Sequence, residues 1–164
     1  MKKLIILSIW ALSNVLLSQS NILTIQDFNF LNNSNWQGSL MYVNYSDNKE
    51  VFIPTSLTIS IKNNTVNLLT TYPNEPKANS KSVIKLRKKG TYFGNEKVDN
   101  IERRQDGSLL VKTSYNGRDN GQKAIFYKFY ELGVSSVIIT KEVQLIGTHQ
   151  TFIRNKITLK KIKL

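Results

Sequence analysis

Residues 57–72 read LTISIKNNTVNLLTTY, and this stretch decides the fold. Apolar and polar side chains alternate in its first half, where the apolar set is Leu57, Ile59 and Ile61. They alternate again in its second half, where the matching face is Val66, Leu68, Thr70 and Tyr72. A period of two is typical of a β-strand with one buried face. The Asn63-Asn64 pair between the two halves indicates a tight turn, so the stretch predicts a β-hairpin.

The same alternation recurs on both sides of this hairpin. We expect about eight to ten strands in total. They are predicted over residues 36–45, 51–62, 66–72, 83–87, 91–98, 101–104, 109–115, 123–130, 137–145 and 152–159. An Asp106-Gly107 turn and an Asn- and Gly-rich loop over 116–121 separate the later strands. The pattern predicts an all-β domain, folded as an antiparallel up-and-down barrel of eight to ten strands or, alternatively, as a β-sandwich.

Only one short segment has the character of a helix. A helical turn is expected over residues 27–33, where Phe28 and Leu31 would plug an open end of the barrel.

Residues 1–20 have the pattern of a cleavable signal peptide. Met1-Lys2-Lys3 is positively charged, residues 4–17 are mainly apolar, and small residues precede a cleavage site near Ser20. The apolar stretch is shorter than the roughly 20 residues that a membrane-spanning helix requires. We therefore expect residues 21–164 to form a single β-barrel domain without a transmembrane segment, in a secreted or periplasmic location.

The chain contains no Cys and a single His, His149. A lipid-modified Cys, a disulfide and a Cys nucleophile are therefore excluded, and a metal site of the usual His and Cys type cannot form within one chain. His149 lies in a predicted turn, and neither a carboxylate pair nor a phosphate-binding glycine loop is evident. The sequence predicts a protein that is not an enzyme, with no catalytic residue, no metal site and no cofactor.

The chain is strongly basic, with 23 Lys and Arg residues against 11 Asp and Glu residues and a net charge of +12. Such a charge favours anionic partners, although 18 of the basic residues are Lys, which are also common on solvated surfaces. Six residues from two basic segments are candidates for binding an anionic surface. They are Lys85, Arg87, Lys88, Lys89, Lys160 and Lys161.

A resemblance to a known family rests on the two ends of the barrel region. Trp36 opens the first predicted strand in FNFLNNSNWQGSL, and Arg154 lies on the last strand in TFIRNKITLKKI. This arrangement resembles the lipocalins and calycins, in which a Gly-x-Trp motif packs beneath an Arg of the last strand and closes the barrel. Here Ser34 stands where that family has Gly. The resemblance implies a calycin-like barrel closed by Trp36 and Arg154.

Two functions follow as hypotheses. The first is an exported, non-catalytic protein that holds a small apolar or amphipathic ligand inside the barrel. Its candidate ligand-binding residues are Tyr42, Phe126, Tyr127, Phe129 and Tyr130. The alternative is an interaction protein whose basic surface contacts an anionic envelope component, a membrane or a protein partner; no specific nucleic acid is predicted.

Overall fold

The computed structural model describes residues 22–162, so the predicted signal peptide over residues 1–20 lies outside the described residues. Within this range the chain forms ten strands. They are β1 (Ser34–Val43), β2 (Glu50–Lys62), β3 (Thr65–Thr71), β4 (Ser80–Arg87), β5 (Tyr92–Phe93), β6 (Glu96–Arg103), β7 (Leu109–Asp119), β8 (Gln122–Leu132), β9 (Ser136–Leu145) and β10 (Thr151–Lys161). Three short 3₁₀ helices span Ile25–Leu31, Pro76–Ala78 and Lys88–Gly90. No helix in the described range is long and apolar enough to cross a membrane.

Every strand is antiparallel to the strands that precede and follow it in the chain, and β10 also pairs with β1. The sheet therefore closes on itself as a ten-stranded up-and-down barrel. This confirms the predicted all-β barrel, and the alternative of a sandwich is not needed. Alternate residues of each strand point inward, as the burial of Ala124, Phe126 and Tyr130 on β8 shows.

Two of the hairpins turn on residues with positive φ angles. Asn63 and Asn64 have φ angles of 47° and 63°, and Asn120 and Gly121 have φ angles of 44° and 79°. Two consecutive residues in this region are typical of the hairpin turn whose twist matches that of the flanking strands. The predicted turn at Asn63-Asn64 is confirmed.

The predicted loop over residues 116–121 is wrong in its first part, because β7 continues to Asp119 and pairs with β8 throughout. Only Asn120 and Gly121 form the turn. Gly117, which suggested a loop, is instead required by packing, since a Cβ atom there would lie 2.7 Å from the ring of Phe126.

The Ile25–Leu31 helix, hereafter the plug helix, closes one end of the barrel. Phe28 and Leu31 are buried there, and the Phe28 ring stacks on that of Phe93 at 5.2 Å between centroids. Asp27 accepts hydrogen bonds from the backbone N–H of Thr24 at 2.8 Å and from Arg103 Nε at 2.6 Å, which tie the helix to β6. The predicted helical plug is confirmed, although it begins two residues earlier than expected.

The predicted stack of Arg154 on Trp36 is not formed. Trp36, near the start of β1, pairs with Lys161 at the end of β10, and Lys161 Nζ lies 5.7 Å from the centroid of the indole. Arg154 lies seven residues earlier in β10, roughly 23 Å away along the strand. Because β1 and β10 are antiparallel, Arg154 lies beside Val43, at the end of the barrel opposite the plug helix.

The barrel has a gap in its side between β4 and β7. The predicted strand over 91–98 is divided at Gly94, whose φ is 64°, into the two-residue strand β5 and the start of β6. The pairing of β6 with β7 begins at Lys97 and Ser114. Within residues 22–162, no strand pairs with residues 115–119 of β7 or with residues 80–84 of β4 across this space. We refer to this opening as the lateral gap.

Candidate functional site

A cavity of about 770 Å³ extends from the interior of the barrel out through the lateral gap to the surface. Ser82 on β4 and Asn116 on β7 lie at its two edges. One part of its surface, hereafter the apolar wall, consists of aliphatic and aromatic side chains, namely Leu68, Ile84, Phe93, Ile139 and Ile157. Besides Ser82 and Asn116 at the edges, the polar side chains that line it are Asn95, Glu96, Tyr115, Lys128, Tyr130, Lys141 and Asn155. The cavity is therefore apolar on one side and charged on the other.

The interior below this cavity, toward the plug helix, is filled. The void that remains among Phe28, Leu31 and Val137 measures about 20 Å³, which is room for about one water molecule. The plugged half of the barrel is thus a packed hydrophobic core, and the open cavity is confined to the other half.

Strand register explains the division between apolar and polar surfaces. The inward residues Tyr130, Ile139 and Ile157 are directly paired across β8, β9 and β10. The next inward position toward the open end brings Lys128, Lys141 and Asn155 together in the same way. We call these last three residues the polar row. The polar row is two residues along each strand from the row that contains Ile139 and Ile157, so a ligand that spans both rows would contact apolar and polar groups at once.

Glu96 is held by three groups of the protein. Its carboxylate forms an ion pair with Lys128 Nζ. It also accepts hydrogen bonds from the Tyr130 hydroxyl at 2.8 Å and from Thr113 Oγ1 at 2.7 Å. Burial, together with the nearby charge of Glu96, raises the pKa of Tyr130 well above its usual value, so this phenol stays protonated and donates. Glu96 and Lys128 therefore neutralise each other at the edge of the cavity.

Lys141 has no such partner. None of the ion pairs within residues 22–162 involves it. Its Nζ lies 4.5 Å from the centroid of the Phe126 ring, a cation–π contact. Burial and the adjacent Lys128 lower the pKa of Lys141 below its usual value, and the carboxylates of Asp119 and Glu96 offset only part of this effect.

Two neutral polar side chains near Lys141 also lack hydrogen-bond partners. Neither Tyr115 Oη nor the Asn155 side-chain amide forms a hydrogen bond within the described chain. The Tyr115 ring stacks on the Phe126 ring at 4.8 Å between centroids, and this Phe126 ring is the one that Lys141 Nζ contacts. Burial, followed by the charge of Glu96, raises the pKa of Tyr115 to about 12, so its hydroxyl is a donor at neutral pH. Three polar groups that the protein itself does not satisfy thus face one cavity.

A second cluster of charges, at the open end of the barrel, is fully paired. Arg154 and Asp119 are both buried and form an ion pair. The Tyr45 hydroxyl donates to Asp119 Oδ1 at 2.8 Å, and the guanidinium of Arg154 lies 4.1 Å from the Tyr45 ring centroid. Burial and the hydrogen bond to Asp119 raise the pKa of Tyr45. Because its members satisfy one another, this cluster acts as a structural clamp between β7, β10 and the segment after β1.

The five aromatic residues predicted to bind a ligand fall on two faces. Tyr42, Phe126 and Tyr130 occupy inward positions, and Tyr130 lines the cavity. Tyr127 and Phe129 alternate with these on β8 and lie on the outer face, where Lys112 Nζ approaches their rings at 4.7 and 5.4 Å. The period of two explains the separation, because adjacent residues of a strand point to opposite sides of the sheet.

The two basic segments lie on strands that are not neighbours in the sheet. Lys85, on β4, and Lys160, on β10, are separated by β3, β2 and β1, a lateral separation of about 19 Å at 4.8 Å per strand spacing. Local partners also occupy several of these side chains. Arg87 donates to Asn95, Lys88 lies over the Tyr92 ring and Lys161 lies over Trp36; Lys89 belongs to the exposed 3₁₀ turn after β4.

Sequence reasoning did not single out Glu96, Lys128, Lys141 or Asn155. A signal for Lys128 was present, because this residue lies between Phe126 and Tyr130 on the apolar face of β8. A charged residue on an otherwise apolar face marks an interior charge that needs a partner. Which residues pair with it depends on the register of strands distant in sequence.

Comparison with protein-family models and with curated proteins finds no match to this chain. Within residues 22–162, no three His, Asp or Glu side chains come close enough together to hold a metal ion.

Proposed function

We propose that this protein is a non-catalytic binding protein that holds one small amphipathic ligand in the barrel cavity. The observation that carries the proposal is the cavity of about 770 Å³, with an apolar wall on one side and, on the other, polar side chains that have no partner within the described chain. Its size lies within the range of about 300–1,000 Å³ that is typical of sites for small molecules.

The surroundings of Glu96 support binding rather than catalysis. A carboxylate that acts as a general base needs a free oxygen within reach of the substrate proton. Glu96 already accepts from Lys128, Tyr130 and Thr113, which hold it in one place. In this proposal it positions Lys128 and Tyr130 at the cavity surface.

The lateral gap supplies a path into the cavity. Residues 80–84 of β4 and 115–119 of β7 are separated, so a ligand can pass between them without opening the strand pairs elsewhere in the barrel. The plug helix need not move, because it closes the packed end.

The test uses Nile red, an uncharged apolar dye, and the full chain. We expect its fluorescence to rise on saturable binding, and native mass spectrometry of gently purified protein to detect one copy of a co-purifying small molecule. Ile139→Trp fills the cavity from the apolar wall and should abolish dye binding. Ile138→Trp, on the outer face of the same strand, is the matched control and should bind the dye as the wild type does.

Absence of saturable dye binding in the wild type would overturn the proposal. So would equal binding by the Ile139→Trp and Ile138→Trp variants, because the dye would then be bound outside the cavity.

A further inference from the structure

We propose that the ligand carries an anionic head group, a carboxylate or a phosphate, and that Lys141 binds it with help from Tyr115 and Asn155. This inference rests on the proposed function, because it names the chemistry of the ligand in the same cavity. It is carried by three features: the charge balance of the cavity, the surroundings of Lys141 and the order of the inward rows.

The cavity has one positive charge in excess. Three charged residues line it, and two of them, Glu96 and Lys128, form an ion pair. Arg154 and Asp119, the nearest charges toward the open end, are paired with each other. Lys141 is therefore the one cation at the cavity, among the described residues, that no carboxylate of the chain neutralises.

The surroundings of Lys141 favour an anion over water. Removing an ammonium group from water costs free energy unless an opposite charge or hydrogen-bond acceptors replace the water. The Phe126 ring offers only a cation–π contact at 4.5 Å. An anion bound at Nζ would replace the lost water, oppose the repulsion from Lys128 and raise the pKa of Lys141 toward its usual value.

Two hydrogen-bond donors, Asn155 and Tyr115, lie on the same side of the cavity as Lys141. Asn155 is the direct cross-strand neighbour of Lys141, so the two side chains project from positions roughly 5 Å apart. Tyr115 is stacked on Phe126, the ring beneath Lys141, and its hydroxyl is protonated. One ammonium, one amide and one phenol are sufficient to donate to the oxygens of a carboxylate or phosphate.

The order of the inward rows sets the direction in which the ligand lies. Ile139 and Ile157 are two residues from Lys141 and Asn155 on the side of the plug helix. If the ligand places its anionic head group at the polar row, its alkyl or aryl portion would cover the apolar wall. The head group would then lie nearer the open end of the barrel.

The test measures displacement of Nile red by decanol and decanoate, which have the same chain length and differ in the charge of the head group. For the wild type we expect decanoate to bind at least about tenfold more tightly than decanol, as a charge-assisted hydrogen bond would produce. In Lys141→Gln decanoate should lose about tenfold in affinity while decanol stays within about twofold. Lys141→Arg should retain the preference for decanoate.

The matched control is Lys112→Gln, which removes the same charge from the outer face of β7 and should leave both affinities unchanged. Decyl phosphate distinguishes the two anions, because the tighter of decanoate and decyl phosphate identifies the head group. Dye binding without any preference for the anions would overturn this inference and leave the proposed function intact. An equal loss in Lys112→Gln and Lys141→Gln would overturn it as well, whereas failure of the wild type to bind the dye or any decyl compound would overturn both.

Discussion

Single residues decide how this barrel tolerates charge in its interior. Among the described residues, three ion pairs lie inside the barrel or against the plug helix, namely Asp27–Arg103, Glu96–Lys128 and Asp119–Arg154. Each carboxylate also accepts a hydrogen bond from at least one hydroxyl group. Thr24 donates to Asp27, Thr113 and Tyr130 donate to Glu96, and Tyr45 donates to Asp119. Such additional bonds are what make an enclosed ion pair tolerable. Lys141 departs from this rule, and for that reason it is the residue to which we assign a ligand.

Glu96 should stabilise the barrel mainly through its ion pair with Lys128. Glu96→Gln keeps the shape of the side chain but leaves the Lys128 ammonium without a counter-charge. We expect the free energy of unfolding to fall by about 2 kcal/mol, between the values for exposed and fully buried pairs, because both side chains are partly exposed. Urea denaturation of the wild type and of Glu96→Gln at neutral pH measures this difference in the free energy of unfolding.

The control for this prediction is Glu102→Gln, which breaks the Glu102–Arg104 pair on the surface. It should change stability by less than about 0.5 kcal/mol. Similar losses in the two variants would contradict a special role for Glu96.

At the scale of elements, a β-bulge separates the structural clamp from the cavity. The register of β9 and β10 shifts between Ile153 and Asn155, so Arg154 is an extra residue on its strand. A bulge of this kind re-aims side chains. Here Arg154 is buried against Asp119 while Asn155, its neighbour, lines the cavity. One irregularity thus allows consecutive residues to serve stability and the proposed binding site.

The attachment of the plug helix should depend on the charge of Asp27. Burial opposes ionisation of Asp27, but hydrogen bonds from Arg103 and from Thr24 outweigh it and lower the pKa below 3.8. The carboxylate therefore contributes stability that is fully present above the unfolded-state pKa and is lost as pH falls through the lower folded-state pKa. We expect Asp27→Asn to cost about 1–3 kcal/mol at neutral pH.

The difference between the wild type and Asp27→Asn should shrink as pH falls through and below the unfolded-state pKa of Asp, about 3.9, as measured by urea denaturation at several pH values. Asp47→Asn is the control, since Asp47 lies in an exposed turn and forms its ion pair with Lys49, the residue two positions later in that turn. A difference that stays constant down to the lowest pH would contradict the role of the carboxylate charge.

At the scale of the whole molecule, the sheet is closed by extensive strand pairing on one side of the barrel and is open on the other side. β1 and β10, the first and last strands, pair over seven residues of each. The pairing of β4 with β5 covers only two residues, and beyond it lies the lateral gap. The cavity is open at the weakest part of the sheet, where a ligand can enter without breaking the pairing that closes the barrel.

Closure by β1 and β10 depends on Gly38. A Cβ atom at this position would lie 2.0 Å from the backbone oxygen of Thr158, too close for any other residue. We expect Gly38→Ala to force the two strands apart and to lower the free energy of unfolding by about 2–3 kcal/mol, measured by urea denaturation.

Gly147→Ala is the matched control, because no atom of residues 22–162 outside its own chain neighbours lies within 4 Å of a Cβ atom at that position. Its stability should stay within about 0.5 kcal/mol of the wild type. If Gly38→Ala had as little effect on the free energy of unfolding, β1 and β10 would have to separate at this position without a loss of stability. That result would contradict the close approach of the two strands at Gly38.

Much of the fold could be predicted from the sequence, because local physics governs it. The alternation in residues 57–72 identifies the strands and their buried face, and Asn63-Asn64 supplies the turn that joins them. Phe28 and Leu31 likewise indicate a plug, since apolar side chains in a short helical segment need a surface to cover. A period of two assigns each residue to the inside or the outside of the sheet.

The period of two does not indicate where along the barrel axis a residue lies. Only the tertiary structure decided that position. It depends on the register of strand pairs and on bulges, and these arise from contacts between residues far apart in sequence. For this reason Arg154 could be placed on the last strand but not at the end opposite Trp36. For the same reason Lys141, Asn155 and Tyr115, on which the candidate site depends, come to line one cavity only once the barrel has closed.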